Sequence, residues 1–319
     1  MLSLTWFVSL SMAQVAPPIV GGELTADFAA SGALVRTNGH RASFFCSATL
    51  IHPEWVLTAA HCIEGSRGGP NASVLFLVGH DIYRESGVDF IAEVDDAIVH
   101  PDYSPQALRH DIGLMHLSEP IEEVAWMPLN EDRVGNRWLG TDLTYVGFGV
   151  TSDSAEDSGI KRTVNLPFYE FDDQFIYTYA PEGGNLCQGD SGGSGLREVD
   201  GQYYLAGVSS FVYAQQQSET ACVGGGAGAT RVDTHLEWIW EYVDFESLEE
   251  PEEELEDTSS FEIEDSGFGA KEGVPVPTED LSAVGCGCSV SGAPHRRQFF
   301  WWIGALGVAW ARAGRRISF

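Results

Sequence analysis

NLCQGDSGGSG, the stretch Asn185–Gly195, places a cysteine, an aspartate and a serine among four glycines. Glycine adopts backbone conformations that other residues avoid, so such a segment can turn tightly. It could cradle a phosphate, serve as a flexible linker or present a nucleophilic serine. A phosphate loop carries a lysine after its glycines and opens a helix, and neither follows Gly195. Features elsewhere in the chain must decide between the two remaining interpretations.

Two distant segments supply the partners that a nucleophilic serine needs. LTAAHC (57–62) contains His61, and RHDIGLMHL (109–117) contains Asp111. A serine hydroxyl is a poor nucleophile at neutral pH, so it requires a base to take its proton, and the base requires a carboxylate to fix its tautomer. The order His61, Asp111, Ser191 along the chain therefore favours nucleophilic catalysis by serine.

Short runs of apolar residues alternate with turn residues through much of the chain, which predicts an all-β sandwich or barrel. The segment THLEWIWEYV (234–243) instead predicts a helix. Thr234 can cap this helix and Glu237 completes a capping box three residues later. The predicted apolar face comprises Leu236, Ile239, Trp240 and Val243.

Five separate motifs together resemble the chymotrypsin-like (trypsin-family) serine proteases. They are IVGG (19–22), TAAHC (58–62), HDIGL (110–114), GFG (147–149) and CQGDSGGS (187–194). The resemblance extends over residues 19–243. It implies two six-stranded antiparallel β-barrels and a C-terminal helix, with the active site in the cleft between the barrels.

The resemblance also assigns roles to individual residues. Ser191 would be the nucleophile, His61 the general base and then the general acid, and Asp111 the carboxylate that orients His61. Gly189 and Ser191 would supply the backbone N–H donors of the oxyanion hole. A glycine at position 189 is reasonable, because a side chain there could obstruct that geometry.

Activation in this family frees the amine of the isoleucine that opens IVGG, and here that amine would pair with the aspartate beside the serine. The two residues are Ile19 and Asp190. An arginine or lysine usually precedes the isoleucine, whereas this chain has Pro18. Residues 1–16 have an apolar core and small residues near Ala13 and Ala16, as in a signal peptide, but lack the usual Lys or Arg at the front. We therefore expect signal cleavage after residue 16, followed by separate removal of residues 17–18. The alternative is a buried first strand.

The expected specificity pocket departs from the trypsin pattern. Asn185 stands six positions before the serine, where trypsin-like enzymes carry an aspartate that pairs with Arg or Lys. Ser210 and Phe211 match the pair that binds the substrate backbone, Val212 would narrow the pocket, and Ala227 would lie on the opposite wall. We predict cleavage after small or medium apolar residues.

The resemblance implies two disulfides among the six cysteines, Cys46–Cys62 and Cys187–Cys222. An even number of widely spaced cysteines suits an oxidising compartment. Ligand positions matching a calcium loop of some relatives would form a poor oxygen cage, so we predict no required metal or cofactor. We interpret the other histidines as structural: His40, His52, His80, His100, His110, His116, His235 and His295.

The charge distribution marks boundaries beyond the protease domain, which we place at 19–244. The net charge is −30, which argues against nucleic acid as a partner. Residues 245–280 are strongly acidic and predict a disordered linker. We expect a monomer whose partners are protein or peptide substrates.

Residues 281–319 contain five arginines, no acidic residue and a run of 13 apolar residues, FFWWIGALGVAWA (299–311). Spanning a bilayer normally takes about 20 residues, so a transmembrane anchor here would be short. The order Gly-Cys, apolar segment, arginine cluster resembles the C-terminal sorting signals of myxobacterial surface proteins (the MYXO-CTERM type). This implies cleavage near Cys286 or Cys288 by a sorting peptidase, delivery to the bacterial cell surface, and membrane contact through this segment only. The alternative is a small disulfide or two idle thiols.

The sequence is compatible with three functional hypotheses. The favoured one is an exported serine endopeptidase. The second is a catalytically silent surface-binding module on the same fold, which would typically have lost a member of the triad. The third, an intracellular acidic interaction protein, conflicts with the cysteine pattern and the N-terminus.

Overall fold

A computed structural model describes residues 18–38, 40–66, 72–180, 183–215 and 220–248. Within these ranges strands far outnumber helices, and every strand-to-strand pairing is antiparallel. The predicted signal peptide, most of the predicted linker and the C-terminal segment with Cys286 and Cys288 lie outside the described residues.

The N-terminal half forms a closed barrel of six strands. They are β2 (Ser31–Thr37), β3 (Ala42–His52), β4 (Trp55–Thr58), β5 (Ser73–Gly79), β6 (Val88–Val99) and β7 (Gly113–Leu117). The order is β2-β3-β4-β7-β6-β5, and β5 pairs with β2 to close the barrel. Its interior is filled by fully buried apolar side chains such as Leu34, Leu57 and Phe76. Burial of each contributes about 1.5–3 kcal/mol.

The C-terminal half forms the second barrel. Its strands are β8 (Asp142–Gly147), β9 (Arg162–Phe171), β10 (Phe175–Tyr179), β11 (Ser194–Val199), β12 (Gln202–Tyr213) and β13 (Gly226–Arg231). The order is β9-β10-β13-β12-β11-β8, and β8 pairs with β9 to close the barrel. The predicted pair of six-stranded barrels is confirmed.

Short elements complete the fold. The two-residue strand β1 (Glu23–Leu24) pairs with β9. The helical turn α1 (Pro18–Gly21) has non-helical backbone angles at Ile19 and Val20, and α2 (Ala60–Ser66) follows β4. Three 3₁₀ turns are found at Glu85–Gly87, Asn136–Trp138 and Glu246–Leu248. The predicted C-terminal helix is α3 (Leu236–Tyr242).

The details of α3 differ from the sequence prediction. His235 occupies the N-cap and no side chain caps the helix, so the predicted capping box with Thr234 is wrong. Trp240 was placed on the apolar face but is 48% exposed, whereas Trp238 is buried. Trp238 packs against the ring of His100 at 4.9 Å, and this tertiary contact outweighs the periodicity of a helix of only seven residues.

Buried hydroxyl groups connect the two barrels. The hydroxyl of Ser194 on β11 lies 2.6 Å from that of Ser31 on β2 and 2.7 Å from that of Thr49 on β3. The three side chains are almost fully buried, so each needs a hydrogen-bond partner inside the protein. This network fixes the start of β11, and therefore the turn just before it, relative to the first barrel.

Candidate active site

The three predicted catalytic residues stand on segments that the two barrels hold in place. His61 is the second residue of α2, which starts two residues after the end of β4, and Asp111 lies two residues before the start of β7. Both belong to the first barrel. Ser191 lies in the turn before β11 of the second barrel. The site is therefore assembled from both barrels.

Asp111 and His61 form a close pair. Asp111 Oδ2 lies 2.7 Å from His61 Nδ1, and Asp111 Oδ1 accepts the backbone N–H of His61 at 2.9 Å. The Asp111 side chain is fully buried, while that of His61 is 29% exposed. An ionised carboxylate only accepts hydrogen bonds, so Nδ1 of His61 carries the proton and Nε2 presents its lone pair.

Two further hydroxyl groups hold Asp111. Ser210 donates to Asp111 Oδ2 at 2.5 Å, and Thr230 donates to the Asp111 carbonyl oxygen at 3.0 Å. Sequence alone predicts Ser210 in the substrate pocket and does not identify Thr230. No local sequence signal could have identified these contacts, because Ser210 is 99 residues and Thr230 is 119 residues from Asp111.

The turn carrying Ser191 packs directly against the first barrel. The carbonyl of Ser191 accepts the N–H of Ser47 at 2.8 Å. Gly192 has a φ of +79°, and a Cβ there would lie 2.1 Å from the Thr58 hydroxyl oxygen, so a residue with a side chain could not occupy it. Among the hydrogen bonds of the described residues, there is none between the Ser191 hydroxyl and His61. Such bonds are often long in unliganded active sites and tighten on substrate binding.

Two backbone N–H groups flank Asp190 without an acceptor. Neither Gly189 nor Ser191 donates its N–H to any described residue, whereas the N–H of Asp190 donates to the Cys187 carbonyl at 3.2 Å. Gly189 has a φ of +95°, and a Cβ there would lie 2.7 Å from the ring of Phe44. Unpaired N–H groups of this kind can bind a developing oxyanion.

Asp190 is buried, and both of its carboxylate oxygens accept backbone N–H groups. Its Oδ1 accepts the N–H of Gly149 at 2.8 Å and its Oδ2 accepts the N–H of Cys187 at 2.9 Å. Burial raises the pKa of Asp190 to about 6, although these two N–H groups act in the opposite direction. No basic side chain of the described residues forms an ion pair with it.

Ile19 is fully buried in the second barrel's core. The next residue, Val20, bridges to Asn185, whose N–H donates to the Val20 carbonyl at 2.8 Å. The N-terminal segment thus lies against the chain that leads into the Ser191 turn. Pro18 precedes Ile19 in the intact chain, so the Ile19 nitrogen is part of a peptide bond here.

Arg162 is a buried residue of this region that the sequence analysis missed. It is 2% exposed, and it donates to the Gly149 carbonyl at 2.7 Å and to the Asp157 carbonyl at 2.9 Å. Burial lowers its pKa. Because Gly149 in turn donates its N–H to Asp190, Arg162 positions a peptide that supports the Asp190 carboxylate.

A cavity of about 180 Å³ opens beside Ser191. Ser210, Phe211 and Val212 are among the residues that line it. Asn185 does not line it. The Asn185 side chain is 1% exposed and donates to the Ala221 carbonyl at 2.9 Å.

The remaining predicted pocket residue, Ala227, is also outside the cavity lining. It is fully buried and pairs with Val212 across β12 and β13. The ring of Phe211 covers Gly228, where a Cβ would lie 2.2 Å from the ring. A glycine at 228 is therefore needed to seat Phe211 at the cavity.

Both expected disulfides are present. Cys46 on β3 is bonded to Cys62 on α2, next to His61. Cys187 is bonded to Cys222, which ties the Ser191 turn to the chain before β13. Each bridge restricts the unfolded chain and contributes typically about 2–4 kcal/mol.

None of the helices in the described ranges is both long and apolar enough to span a bilayer.

Comparisons with known proteins agree with this geometry. A family model described as Trypsin matches residues 19–239. Brachyurin of Leptuca pugilator is 31% identical over 208 residues, which cover 61% of this chain and 86% of brachyurin. Clotting factor G beta subunit of Tachypleus tridentatus is 30% identical over 245 residues, which cover 67% of this chain and 75% of that relative. The chain belongs to the trypsin family of serine endopeptidases.

Proposed function

We propose that the chain cleaves peptide bonds through an acyl-enzyme formed on Ser191. The Ser191 oxygen attacks the scissile carbonyl carbon while Nε2 of His61 takes the hydroxyl proton. The N–H groups of Gly189 and Ser191 bind the oxyanion of the tetrahedral intermediate. His61 then gives the proton to the leaving amine, and a water molecule, activated in the same way, hydrolyses the ester.

The observation that carries this proposal is the pairing of the buried Asp111 with His61. An oxygen at 2.7 Å from Nδ1 fixes the tautomer in which Nε2 can accept a proton, and the negative charge stabilises the imidazolium that forms. The N–H groups of Gly189 and Ser191, which have no acceptor among the described residues, are a second, independent support.

For the substrate, we propose a preference for small or medium apolar residues before the cleaved bond. Phe211 and Val212 are apolar and line a cavity of about 180 Å³. Asn185 has a neutral amide where trypsin-like enzymes carry a carboxylate, and it donates to the Ala221 carbonyl, so no charge is provided there for an arginine or lysine side chain.

For activation, we propose that removal of residues 1–18 frees the Ile19 amine to pair with Asp190. Support comes from the complete burial of both residues and from the absence of a basic partner for Asp190 among the described side chains. A buried carboxylate without a cation is costly, and a nearby ammonium would offset that cost. N-terminal sequencing of active enzyme tests this, and full activity in material that begins at Pro17 would overturn it.

For location, we propose an exported protease held at the bacterial cell surface. Its two disulfides suit an oxidising compartment. The acidic residues 245–280 would act as a tether, and the C-terminal segment 281–319 as the signal read by a sorting peptidase at Cys286 or Cys288. Fractionation of cells that express the chain with and without residues 281–319 tests this placement.

A covalent probe tests the catalytic proposal. The chain starting at Ile19, and its Ser191→Ala variant, are treated with a fluorophosphonate and their intact masses are recorded. We expect one adduct on the wild-type chain and none on the variant. A folded, correctly bridged wild-type chain that stays unlabelled would instead favour the silent binding module.

A further inference from the structure

Three histidines outside the proposed catalytic triad meet at one point of the fold. They are His100, which follows β6, His110, which precedes Asp111, and His235, at the start of α3. One ring nitrogen from each lies within 4.8 Å of those of the other two. Sequence alone predicts a structural role for all three, because a lone histidine is usually structural.

We propose that His100, His110 and His235 form a binding site for a divalent transition-metal ion of the Zn²⁺ type. Neutral imidazole is a preferred ligand of Zn²⁺, and three protein ligands leave a fourth position for water. The other cluster of potential ligands in the described ranges contains Cys46 and Cys62, whose sulfurs are joined in a disulfide.

His235 is already oriented as a ligand. Its Nδ1 lies 2.7 Å from the Arg231 carbonyl oxygen. A carbonyl only accepts, so Nδ1 carries the proton and the lone pair is on Nε2. Metal-binding histidines almost always donate their other ring N–H to a carbonyl or carboxylate in this way. His235 is 2% exposed, so this orientation is held by the surrounding protein.

His110 provides the second nitrogen. Its Nδ1 lies 3.0 Å from Nε2 of His235 and therefore donates the proton between them. Two nitrogens bound to one tetrahedral zinc ion at about 2.0–2.1 Å are about 3.3 Å apart, so the rings must separate by only a few tenths of an ångström. The ion replaces the shared proton, which moves to Nε2 of the half-buried His110, and no proton is lost overall.

His100 would be the third ligand, and its ring must move further than the other two. Its ring is stacked on that of His110, with centroids 4.7 Å apart, and its Nδ1 accepts the N–H of Asp102 at 3.2 Å. It must turn out of the stack to aim a lone pair at the ion.

Metal binding needs an unprotonated ring nitrogen. The contact of Nδ1 with the Arg231 carbonyl oxygen leaves Nε2 of His235 in that state. An ion at this point would link the segment that carries Asp111 to α3, because His110 directly precedes Asp111 and His235 stands at the start of α3. The backbone of His110 is left-handed, with a φ of 51°.

Zinc titration of the full chain, without an affinity tag and carrying Ser191→Ala to prevent self-cleavage, tests the site. Calorimetry should give one equivalent of Zn²⁺ bound with a Kd in the micromolar range or tighter. Co²⁺ should give the intense visible absorption of a four-coordinate ion. His110→Asn should lower the affinity at least tenfold, and asparagine tolerates the left-handed backbone of this position.

Two further variants make the test selective. His235→Asn should lower the affinity as much as His110→Asn, while His116→Gln, which changes a histidine paired with Asp95 elsewhere on the first barrel, should leave it unchanged. Weak binding to the acidic residues 245–280 would be the same in all variants. The proposal is overturned if the wild-type chain binds no Zn²⁺ at millimolar concentration, or if His110→Asn retains the full affinity.

Discussion

Ser210 and His61 share one carboxylate oxygen. Ser210 donates its hydroxyl to Asp111 Oδ2 at 2.5 Å, and the same oxygen lies 2.7 Å from Nδ1 of His61. Hydrogen bonds to an ionised group are worth about 1.5–3 kcal/mol each. Ser210 therefore holds the carboxylate in the position from which it can orient His61, although it belongs to the strand that also lines the substrate cavity.

Ser210→Ala should lower kcat/KM about 10- to 100-fold. The loss of one charge-assisted hydrogen bond corresponds to about 1.5–3 kcal/mol, and Asp111 would then be free to turn away from His61. Most of the loss should appear in kcat, because the variant keeps the backbone that binds substrate. Steady-state kinetics with a peptide amide substrate measure both constants.

The neighbouring serine offers a matched control for this prediction. Ser209 is equally buried on the same strand, but its hydroxyl has no hydrogen-bond partner among the described residues. Ser209→Ala should therefore change kcat/KM less than twofold. An equal loss of kcat/KM in the two variants would show that any change on this strand impairs activity. The specific role of Ser210 in positioning Asp111 would then be wrong.

Local motifs made the fold and the candidate triad predictable, while contacts between distant segments were not. IVGG, TAAHC, HDIGL and CQGDSGGS each lie within eight residues, so a single sequence displays them. The hydroxyl of Ser210 meets Asp111 only after both barrels close. The same limit explains α3, where packing of Trp238 on His100 overrode the predicted apolar face that included Trp240.

Asp111→Asn should reduce kcat by about 10³- to 10⁴-fold. An asparagine can keep the geometry by offering its amide N–H to Nδ1 of His61. Nδ1 would then accept, the proton would move to Nε2, and His61 could no longer receive the proton of Ser191. Fluorophosphonate labelling rates should fall in parallel with kcat. Labelling at the wild-type rate would contradict the role given to Asp111.

The pH dependence of stability should differ between the extended chain and the chain that begins at Ile19. In the extended chain burial raises the pKa of Asp190 to about 6, from 3.8. A raised carboxyl pKa destabilises the folded state fully above pH 6 and not at all below pH 3.8. The shift lowers the free energy of unfolding at pH 7 by about 3 kcal/mol. A free Ile19 ammonium should remove this cost by lowering the pKa of Asp190.

Thermal unfolding of the two Ser191→Ala chains, starting at Pro17 and at Ile19, measures this difference. At pH 7 the chain from Ile19 should melt higher by about 6–12 °C. The gap should narrow as the pH falls from 6 towards 4, because Asp190 becomes protonated in the extended chain and its buried charge no longer costs stability there, whereas the ion pair of the shorter chain persists. Identical melting temperatures at pH 7 would contradict the proposed pairing of Ile19 with Asp190.

Val212→Gly should enlarge the substrate cavity and shift the preference towards aromatic residues. Val212 lines the cavity beside Phe211, and removing its side chain frees the volume that a larger substrate side chain needs. The ratio of kcat/KM for a phenylalanine substrate over an alanine substrate should rise at least tenfold, which corresponds to about 1.4 kcal/mol. Val94→Gly, on β6 of the first barrel, controls for the general cost of glycine in a strand. It should lower stability without changing the ratio. An unchanged ratio in Val212→Gly would mean that Val212 does not set the width of the pocket.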